Sequence, residues 1–387
     1  MKERIGRVGA RGTGNKLPKF AGRARFALVM IALVTLCTSV VAQENTAEDW
    51  FNKGYELFHQ ESFKESLDAL DKAIEIDPQH FDSWLYKGFT LSMIAQTSRG
   101  QEGPKAFEES LKAYDKAIEI SPRNATAWMI KGGTLDSIAH HMTYDFNMVW
   151  SKKDSIEYFN QSLQAFDKAI ELSPQDANSW NGKSVTLYHL GRYLEIDAQM
   201  GKDKGVMGIY KQALQAVDKA IEIDPKTDGA QESKAILLSV MGQYNESTQA
   251  YEGAIEKANS TQELARAWSN KANIFRAQGK NDEAILAFNK AFELDPHGPD
   301  GLEALTDKGA TLLVMGRLNE SLEAFDEATI DSNNVEAWRN KGLVLREMGR
   351  YNDSLDAYEE ALKLDPNNSL VSAGKSATLK ALGRASK

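Results

Sequence analysis

The apolar and small positions of this chain recur in one repeated block. Its first copy runs from Leu70 through Ala73 to Pro78, with the alanine five residues before the proline. The proline returns at positions 122, 174, 225, 296 and 366, and the small position is alanine in eight copies, at 73, 117, 169, 220, 254, 291, 328 and 361. Because the residue before a proline is driven out of the helical region, each proline predicts the end of a helix. Residues 45–383 show no strand-like run and no low-complexity linker.

A second mark lies upstream of these prolines, a tryptophan followed four residues later by a small residue. The six pairs are Trp50–Gly54, Trp84–Gly88, Trp128–Gly132, Trp180–Ser184, Trp268–Ala272 and Trp338–Gly342. Trp50 lies 28 residues before Pro78, and two later copies keep this distance. The pattern resembles the tetratricopeptide repeat, a helix–turn–helix unit of about 34 residues. Two further copies, which begin near residues 228 and 302, lack the tryptophan.

The resemblance covers about residues 45–383 and implies an all-α fold, a right-handed α-solenoid of about eight tetratricopeptide repeats. The repeats occupy residues 45–368 and begin near residues 47, 81, 125, 177, 228, 265, 302 and 335. Residues 369–387 are expected to form a C-terminal capping helix and tail. Small residues let the two helices of a repeat approach closely, while Trp50 and Leu70 fill the volume between their turns. These residues are therefore expected in the core and in no site.

Repeats two, three and four are longer than the template, by 10, 18 and 17 residues between tryptophan and proline. In repeat three, apolar residues continue at three- and four-residue steps from Leu135 to Val149, which predicts a prolonged first helix. Ser151 is the expected N-cap of the second helix. The insertions either pack on one another or present a partner-binding wall, and both can hold together. The candidate wall residues are Met142, Tyr144, Met148, Trp150 and Met207.

The first 42 residues have the composition of an export signal. Residues 1–25 carry eight Lys or Arg and one Glu, and residues 26–42 are apolar and uncharged, with small residues Val40 and Ala42 before the expected cleavage site. The alternative is an uncleaved membrane anchor, because an apolar run of this length lies at the lower limit for a membrane-spanning helix. We therefore expect an exported protein, either secreted or held at the cell membrane by its N-terminus.

Removing the signal changes the charge of the protein. The whole chain carries 46 basic and 55 acidic residues, a net charge of −9, and residues 1–42 carry eight basic and one acidic residue. The remainder therefore has 38 basic and 54 acidic residues, a net charge of −16. Such a surface repels phosphate backbones, so nucleic acid is not expected as a partner. The single cysteine, Cys37, lies in the signal, so cleavage would leave no disulfide.

The resemblance places the inner face of the solenoid on the first helix of each repeat, at its second, fifth, ninth and twelfth positions. The early repeats carry Phe51, Tyr55, Leu85, Phe89 and Met129 there, and the late repeats carry Arg266, Asn273, Arg276 and Arg339. An apolar half followed by an arginine-dotted half favours an amphipathic or acidic-ended protein segment. The family's carboxylate clamp is absent, because Phe51 and Tyr55 occupy its positions. The alternative is that these are ordinary solvated or neighbour-packed side chains.

Other motifs give weaker indications. His140 and His141 with Asp145 could suggest a metal site, but adjacent histidines point about 100° apart on a helix. No phosphate-binding loop, nucleophile elbow or zinc-protease motif is present, so neither a cofactor nor catalysis is expected. Asn124, Asn259 and Asn367 are N-glycosylation sequons in turns between repeats.

These observations together predict an exported, non-catalytic scaffold that binds a protein or peptide through its inner face. The alternative is a membrane-anchored assembly factor that organises an enzyme complex of the cell envelope. The sequence leaves the oligomeric state and the identity of the partner open.

Overall fold

The computed structural model describes residues 46–98, 102–144, 152–197, 204–330 and 333–385. These ranges contain 17 α-helices and no strand. The helices are α1 (Ala47–His59), α2 (Phe63–Ile76), α3 (Phe81–Thr97), α4 (Glu102–Ile120), α5 (Ala125–Tyr144), α6 (Lys152–Leu172), α7 (Ala177–Asp197), α8 (Lys204–Ile223), α9 (Ala230–Val240), α10 (Tyr244–Lys257), α11 (Thr261–Ala277), α12 (Asn281–Leu294), α13 (Pro299–Val314), α14 (Leu318–Ala328), α15 (Val335–Glu347), α16 (Tyr351–Leu364) and α17 (Ser369–Ala385). The chain divides into two compact units, residues 1–83 and 84–387.

The described helices form eight hairpins, from α1–α2 to α15–α16, followed by α17. In the second unit each hairpin from α5–α6 onward packs on the next, and first helices also contact the first helices that follow, as α11 contacts α13. The fold class predicted from the sequence, an all-α solenoid of tetratricopeptide hairpins, is confirmed. In the second unit, buried clusters lie between the first and second helices of a hairpin, as between α11 and α12.

A serine hydroxyl joins the two helices of most hairpins. Ser66 Oγ donates to the backbone carbonyl of Gly54 at 2.7 Å. The same bond, of 2.7–2.8 Å, recurs as Ser110–Gly88, Ser162–Gly132, Ser247–Ala235, Ser321–Gly309 and Ser354–Gly342. In the α7–α8 hairpin the hydroxyl lies on the first helix instead, where Ser184 donates to the carbonyl of Ala213 at 2.8 Å. The small residues thus do more than allow close approach, because they also bring a buried hydroxyl onto a carbonyl.

Glycines of the first helices make room for large side chains of the second helices. A Cβ atom on Gly132 would lie 3.0 Å from the ring of Phe166, and a Cβ on Gly182 of the next hairpin would meet the same ring from its other side. Phe166 is buried and therefore packs between two hairpins. Close packing of this kind tolerates little added volume.

The later small position is not uniform, contrary to the sequence expectation. Alanine is fully buried in seven copies, at 73, 117, 169, 220, 291, 328 and 361. Ala254 is only partly buried, and it lines a surface pocket with Pro225 and Lys257. The α10 helix ends near this point without a proline.

The long hairpins lengthen their helices, as predicted for repeat three. Helices α5 to α8 have 20 or 21 residues, against 11 to 14 for α9 and α10. Of the candidate wall residues, Met142 packs against the buried cluster around Phe107, and Met207 is partly buried. Met148 and Trp150, together with Ser151, lie outside the described residues, and so do residues 1–42.

Within the part of the chain that the structure describes, no helix is both long enough and apolar enough to cross a membrane.

Candidate partner-binding surface

We call the exposed sides of the first helices of the hairpins the first-helix face, and each unit has its own. In the first unit, α1 places Phe51, Tyr55 and His59 one turn apart on this face. The ring centroids of Phe51 and Tyr55 are 6.2 Å apart, and those of Tyr55 and His59 are 4.4 Å apart, edge to face. The His80 ring lies 5.4 Å from Phe51. Tyr55 keeps 38% of its surface exposed, so this aromatic strip is open to solvent.

Among the described residues of the early hairpins of the second unit, one large aromatic side chain is clearly exposed. Phe89 on α3 is 37% exposed. Leu85, one turn before it, is buried with 7% exposure, so it belongs to the core more than to an open face. Met129 on α5 is partly buried. Of the five apolar residues predicted for partner binding, Tyr55 and Phe89 are therefore the most accessible.

The middle of the face carries an Asp–His pair between α5 and α7. The buried carboxylate of Asp136 lies 2.9 Å from Nδ1 of His189, and the His140 ring lies 4.7 Å from the His189 ring. Burial, followed by repulsion from His189, lowers the pKa of His140. His141 instead packs beside the Phe107 ring at 5.8 Å. Among the described residues no group of three acidic, histidine or cysteine side chains could hold a metal ion.

Sequence reasoning considered His140 and His141 with Asp145, and it missed His189. Asp145 lies outside the described residues, while Asp136 and His189 are 53 positions apart in the chain. Their contact follows from the stacking of successive first helices. Alignment of the repeats could have shown it, because the two residues occupy neighbouring positions of consecutive first helices.

Each predicted arginine of the late hairpins lies beside a carboxylate. Arg266 Nε is 3.3 Å from Glu232 of α9. Arg276 Nη1 and Asn273 Nδ2 donate to the two oxygens of Asp307 on α13, at 3.1 and 3.0 Å. Arg339 Nη2 donates to Glu336 at 2.8 Å. The late part of the face is thus a set of paired charges. It is not the positively charged surface that the arginines of the sequence predicted.

Carboxylates also gather between α13 and α15. Glu303, Asp307 and Glu336 line a surface pocket of about 370 Å³, with Thr306 and Asn334 beside them. Partial burial, and then repulsion from Asp307, Asp300 and Glu336, raises the pKa of Glu303. This part of the face favours a neutral or basic group over an acidic one.

The three candidate glycosylation residues differ in their surroundings. Asn124 Oδ1 accepts a hydrogen bond from the Ala127 amide at 3.3 Å and so caps α5. Asn259, between α10 and α11, and Asn367, between α16 and α17, are exposed. Asn259 and Asn367 are therefore the more accessible of the three, and their glycosylation stays a prediction.

Family models described as tetratricopeptide repeat match residues 47–80, 69–102, 265–297 and 335–368. The chain therefore contains tetratricopeptide repeats. It is 20% identical over 263 residues to a TPR repeat-containing protein of Methanocaldococcus jannaschii, an alignment that covers 65% of this chain and 45% of that protein. This chain thus spans less than half the length of that relative.

Two solved structures of tetratricopeptide or related proteins match parts of this chain. YrrB, described as a TPR protein with an unusual peptide-binding site, is 21% identical, with 55% of this chain and 99% of that chain covered and a TM-score of 0.37. PilF of Pseudomonas aeruginosa is 16% identical, with 68% of this chain and 97% of that chain covered and a TM-score of 0.45.

Proposed function

We propose that this protein is a non-catalytic scaffold that binds a protein or peptide segment on its first-helix face. The observation that carries the proposal is the exposure of Tyr55 and Phe89, two large aromatic side chains at equivalent positions of α1 and α3. Other aromatic side chains, among them Tyr114, Phe159 and Phe288, are buried. Exposed aromatic residues supply most of the costly contacts in protein interfaces, because they bury a large area with little loss of entropy.

The charges of the face narrow the chemistry of the segment. An amphipathic segment can place apolar side chains against the exposed aromatic ring of either unit, Tyr55 in the first or Phe89 in the second. The arginines of the late hairpins are paired with Glu232, Asp307 and Glu336, so an acidic end gains little there. We therefore favour a segment whose apolar part is accompanied by neutral or basic residues, in place of the acidic-ended segment expected from the sequence.

Export is part of the proposal and rests on the composition of residues 1–42. The protein would act outside the cytoplasm, either secreted or anchored by residues 26–42. N-terminal sequencing of the native protein tests this directly. A mature start at Gln43 would support cleavage, an intact residue 1 in the membrane fraction would support an anchor, and an intact residue 1 in the cytosol would contradict export.

Site-specific photocrosslinking tests the binding face. A photoreactive phenylalanine analogue would replace Tyr55 or Phe89 in the full chain, and Leu286 of the second helix α12, which is 69% exposed, would serve as the control position. After irradiation in an envelope extract, mass spectrometry would identify the attached proteins. We expect one protein to crosslink from both first-helix positions and not from Leu286. Crosslinks from Leu286 alone would move binding to the second helices.

A further inference from the structure

Successive hairpins of the second unit are joined by a recurring ion pair. In five first helices, a lysine in the middle of the helix meets a carboxylate on the second helix of the preceding hairpin. The pairs are Lys131–Asp115, Lys183–Asp167, Lys234–Asp218, Lys271–Glu252 and Lys341–Asp326, with N···O distances from 2.5 to 3.0 Å. Lys375 of α17 pairs in the same way with Glu359, at 2.9 Å. We call these the between-hairpin ion pairs.

At the last of these hairpins, the preceding helix forms one wall of a pocket beside the lysine. Trp338 and Lys341 of α15 line a pocket of about 360 Å³ together with Leu322 and Asp326 of α14. The lysine Nζ also lies 4.7 Å from the tryptophan ring centroid. Leu322 and Asp326 are four residues apart, so they lie on one side of their helix. The same Leu–acid spacing recurs as Leu111–Asp115, Leu163–Asp167, Leu214–Asp218 and Leu355–Glu359.

The first hairpin has the same pocket with no described helix beside it. Trp50, Lys53 and Leu57 of α1 and Glu65, Asp68, Ala69 and Lys72 of α2 line a pocket of about 280 Å³, and they correspond position by position to the pocket of the last hairpin. Lys53 and Lys72 Nζ lie 5.0 and 4.3 Å from the Trp50 ring centroid. Within the described ranges, neither lysine is within ion-pair distance of a carboxylate.

We call the side of the first hairpin that carries this pocket its end face. We infer that the end face binds an acidic amphipathic helix of a partner protein. This helix takes the place that the preceding second helix has beside a later hairpin. The protein itself supplies the template, an apolar residue followed four positions later by an acid. The end face involves Trp50, Lys53 and Leu57, which lie on a different side of α1 from Phe51 and Tyr55. The inference therefore does not rest on the proposed function.

Charge selects this occupant over two others. The last hairpin carries Glu360 at the position where the first hairpin carries Lys72. Despite this additional negative charge, Lys341 of the last hairpin still pairs with Asp326 of the preceding helix. An acidic side chain of a bound helix is favoured more strongly in the first hairpin, beside Lys53 and Lys72, than in the last hairpin, beside Lys341 and Glu360. The chain's own residues 1–25 carry eight basic residues and one acid, so they are repelled. A second copy stacked through α17 would offer no carboxylate, because Ser369–Ala385 contains neither Asp nor Glu.

The probe for this face is a helix of the protein itself. A fluorescein-labelled peptide of residues 317–330 carries Leu322 and Asp326, and a hydrocarbon staple between positions 320 and 324 holds it helical on the side away from them. The staple is needed because isolated helices shorter than about 12–15 residues are marginal in water. A second peptide carries Asp326→Lys. Binding to the full chain would be followed by fluorescence anisotropy at low and high salt.

The protein variants are Lys53→Glu and, as a matched control, Lys308→Glu. Lys308 is the equivalent lysine of the α13–α14 hairpin, where Asn289 replaces the acid on the preceding helix. We expect Lys53→Glu to weaken binding of the wild-type peptide about tenfold, because one ion pair is lost and a repulsion is added. Lys308→Glu should leave the affinity for this peptide unchanged. The Asp326→Lys peptide should bind Lys53→Glu better than it binds the wild-type chain. High salt should weaken binding of the wild-type peptide to the wild-type chain, since exposed charges are screened over about 8–10 Å.

Two results would overturn the inference. One is equal binding of the wild-type peptide to the wild-type chain and Lys53→Glu, since the peptide would then lie elsewhere. The other is that the wild-type peptide does not bind to the full chain. In that case, sedimentation equilibrium of the wild-type chain and of Lys53→Glu would show what covers the end face. A dimer lost in Lys53→Glu would assign the face to a second copy, and a monomer would leave it to the chain's own N-terminal segment.

Discussion

At the scale of single residues, glycine has two distinct roles in the first helices. Gly132 and Gly133 are neighbours in α5, yet only Gly132 faces a ring of the second helix, that of Phe166. A Cβ atom on Gly133 would meet no atom within 4 Å. The first glycine is thus required by packing, and the second is a helix interior glycine with no such requirement.

The two glycines allow a matched test. Gly132→Ala should destabilise the protein by about 1–3 kcal/mol, because Phe166 is held between Gly132 and Gly182 and cannot withdraw freely. Gly133→Ala should stabilise it by about 0.5–1 kcal/mol, because alanine loses less backbone entropy in a helix. Urea denaturation of both variants measures the free energies of unfolding. Effects of the same sign in the two variants would contradict this packing.

A second pair of variants tests the later small position. Ala291→Leu should cost about 1–3 kcal/mol, because Ala291 is fully buried between α12 and its neighbours. Ala254→Leu should cost little, since Ala254 borders an open pocket. The urea midpoint of each variant is the measurement. A cost for Ala254→Leu as large as that for Ala291→Leu would restore the uniform role that the sequence pattern indicates.

The residue pattern predicted burial well and polar contacts poorly. Seven alanines at the later small position are in the core as expected. The hydroxyl bond from Ser321 to the Gly309 carbonyl was not predicted, because a small residue at this position is equally consistent with a need for space alone. The α7–α8 hairpin shows that the bond matters to the packing, since the hydroxyl changes helix there and the bond is kept.

At the scale of helices, the prolines and the apolar steps located most boundaries. The repeat pattern did not predict the turn inside the later hairpins, although that turn follows a rule. Gly242, Gly279, Gly316 and Gly349 each have a φ between +75° and +79°, which ends the first helix in the left-handed region. Glu61 takes this conformation in the first hairpin, with a φ of +59°. Hairpins α3–α4, α5–α6 and α7–α8 carry longer connections instead, so no single turn rule covers the chain.

The contact between α5 and α7 predicts a dependence of stability on pH. The pKa of His140 is lowered in the folded state, so below its ordinary value of 6.5 the unfolded chain binds more protons than the folded chain. Stability is therefore lost as the pH falls from this value through the folded pKa. His140→Asn should lose less thermal stability than the wild type between about pH 7.5 and about pH 5. His297→Asn, at an exposed position, is the control, and identical pH profiles for wild type and His140→Asn would exclude this role.

At the scale of the whole molecule, the fold was predictable and the charge of the first-helix face was not. The repeat pattern shows which residues lie on first helices, and the sequence therefore placed Tyr55, Phe89 and Arg276 on that face. It did not show that Arg276 meets Asp307, because the two residues lie 31 positions apart on successive first helices. Cross-repeat pairs of this kind change a surface from positive to neutral, and they become visible only when the helices are stacked.

Binding by the open aromatic residues is the central claim, and one measurement tests it most directly. The partner identified by crosslinking would be titrated against the wild-type chain, the double variant Tyr55→Ala with Phe89→Ala, and the control Leu286→Ala. We expect the double variant to raise the Kd by about thirtyfold or more, because each lost aromatic contact is worth about 1–2 kcal/mol. Leu286→Ala should leave the Kd unchanged. A Kd unchanged in the double variant would show that the partner binds away from the first-helix face.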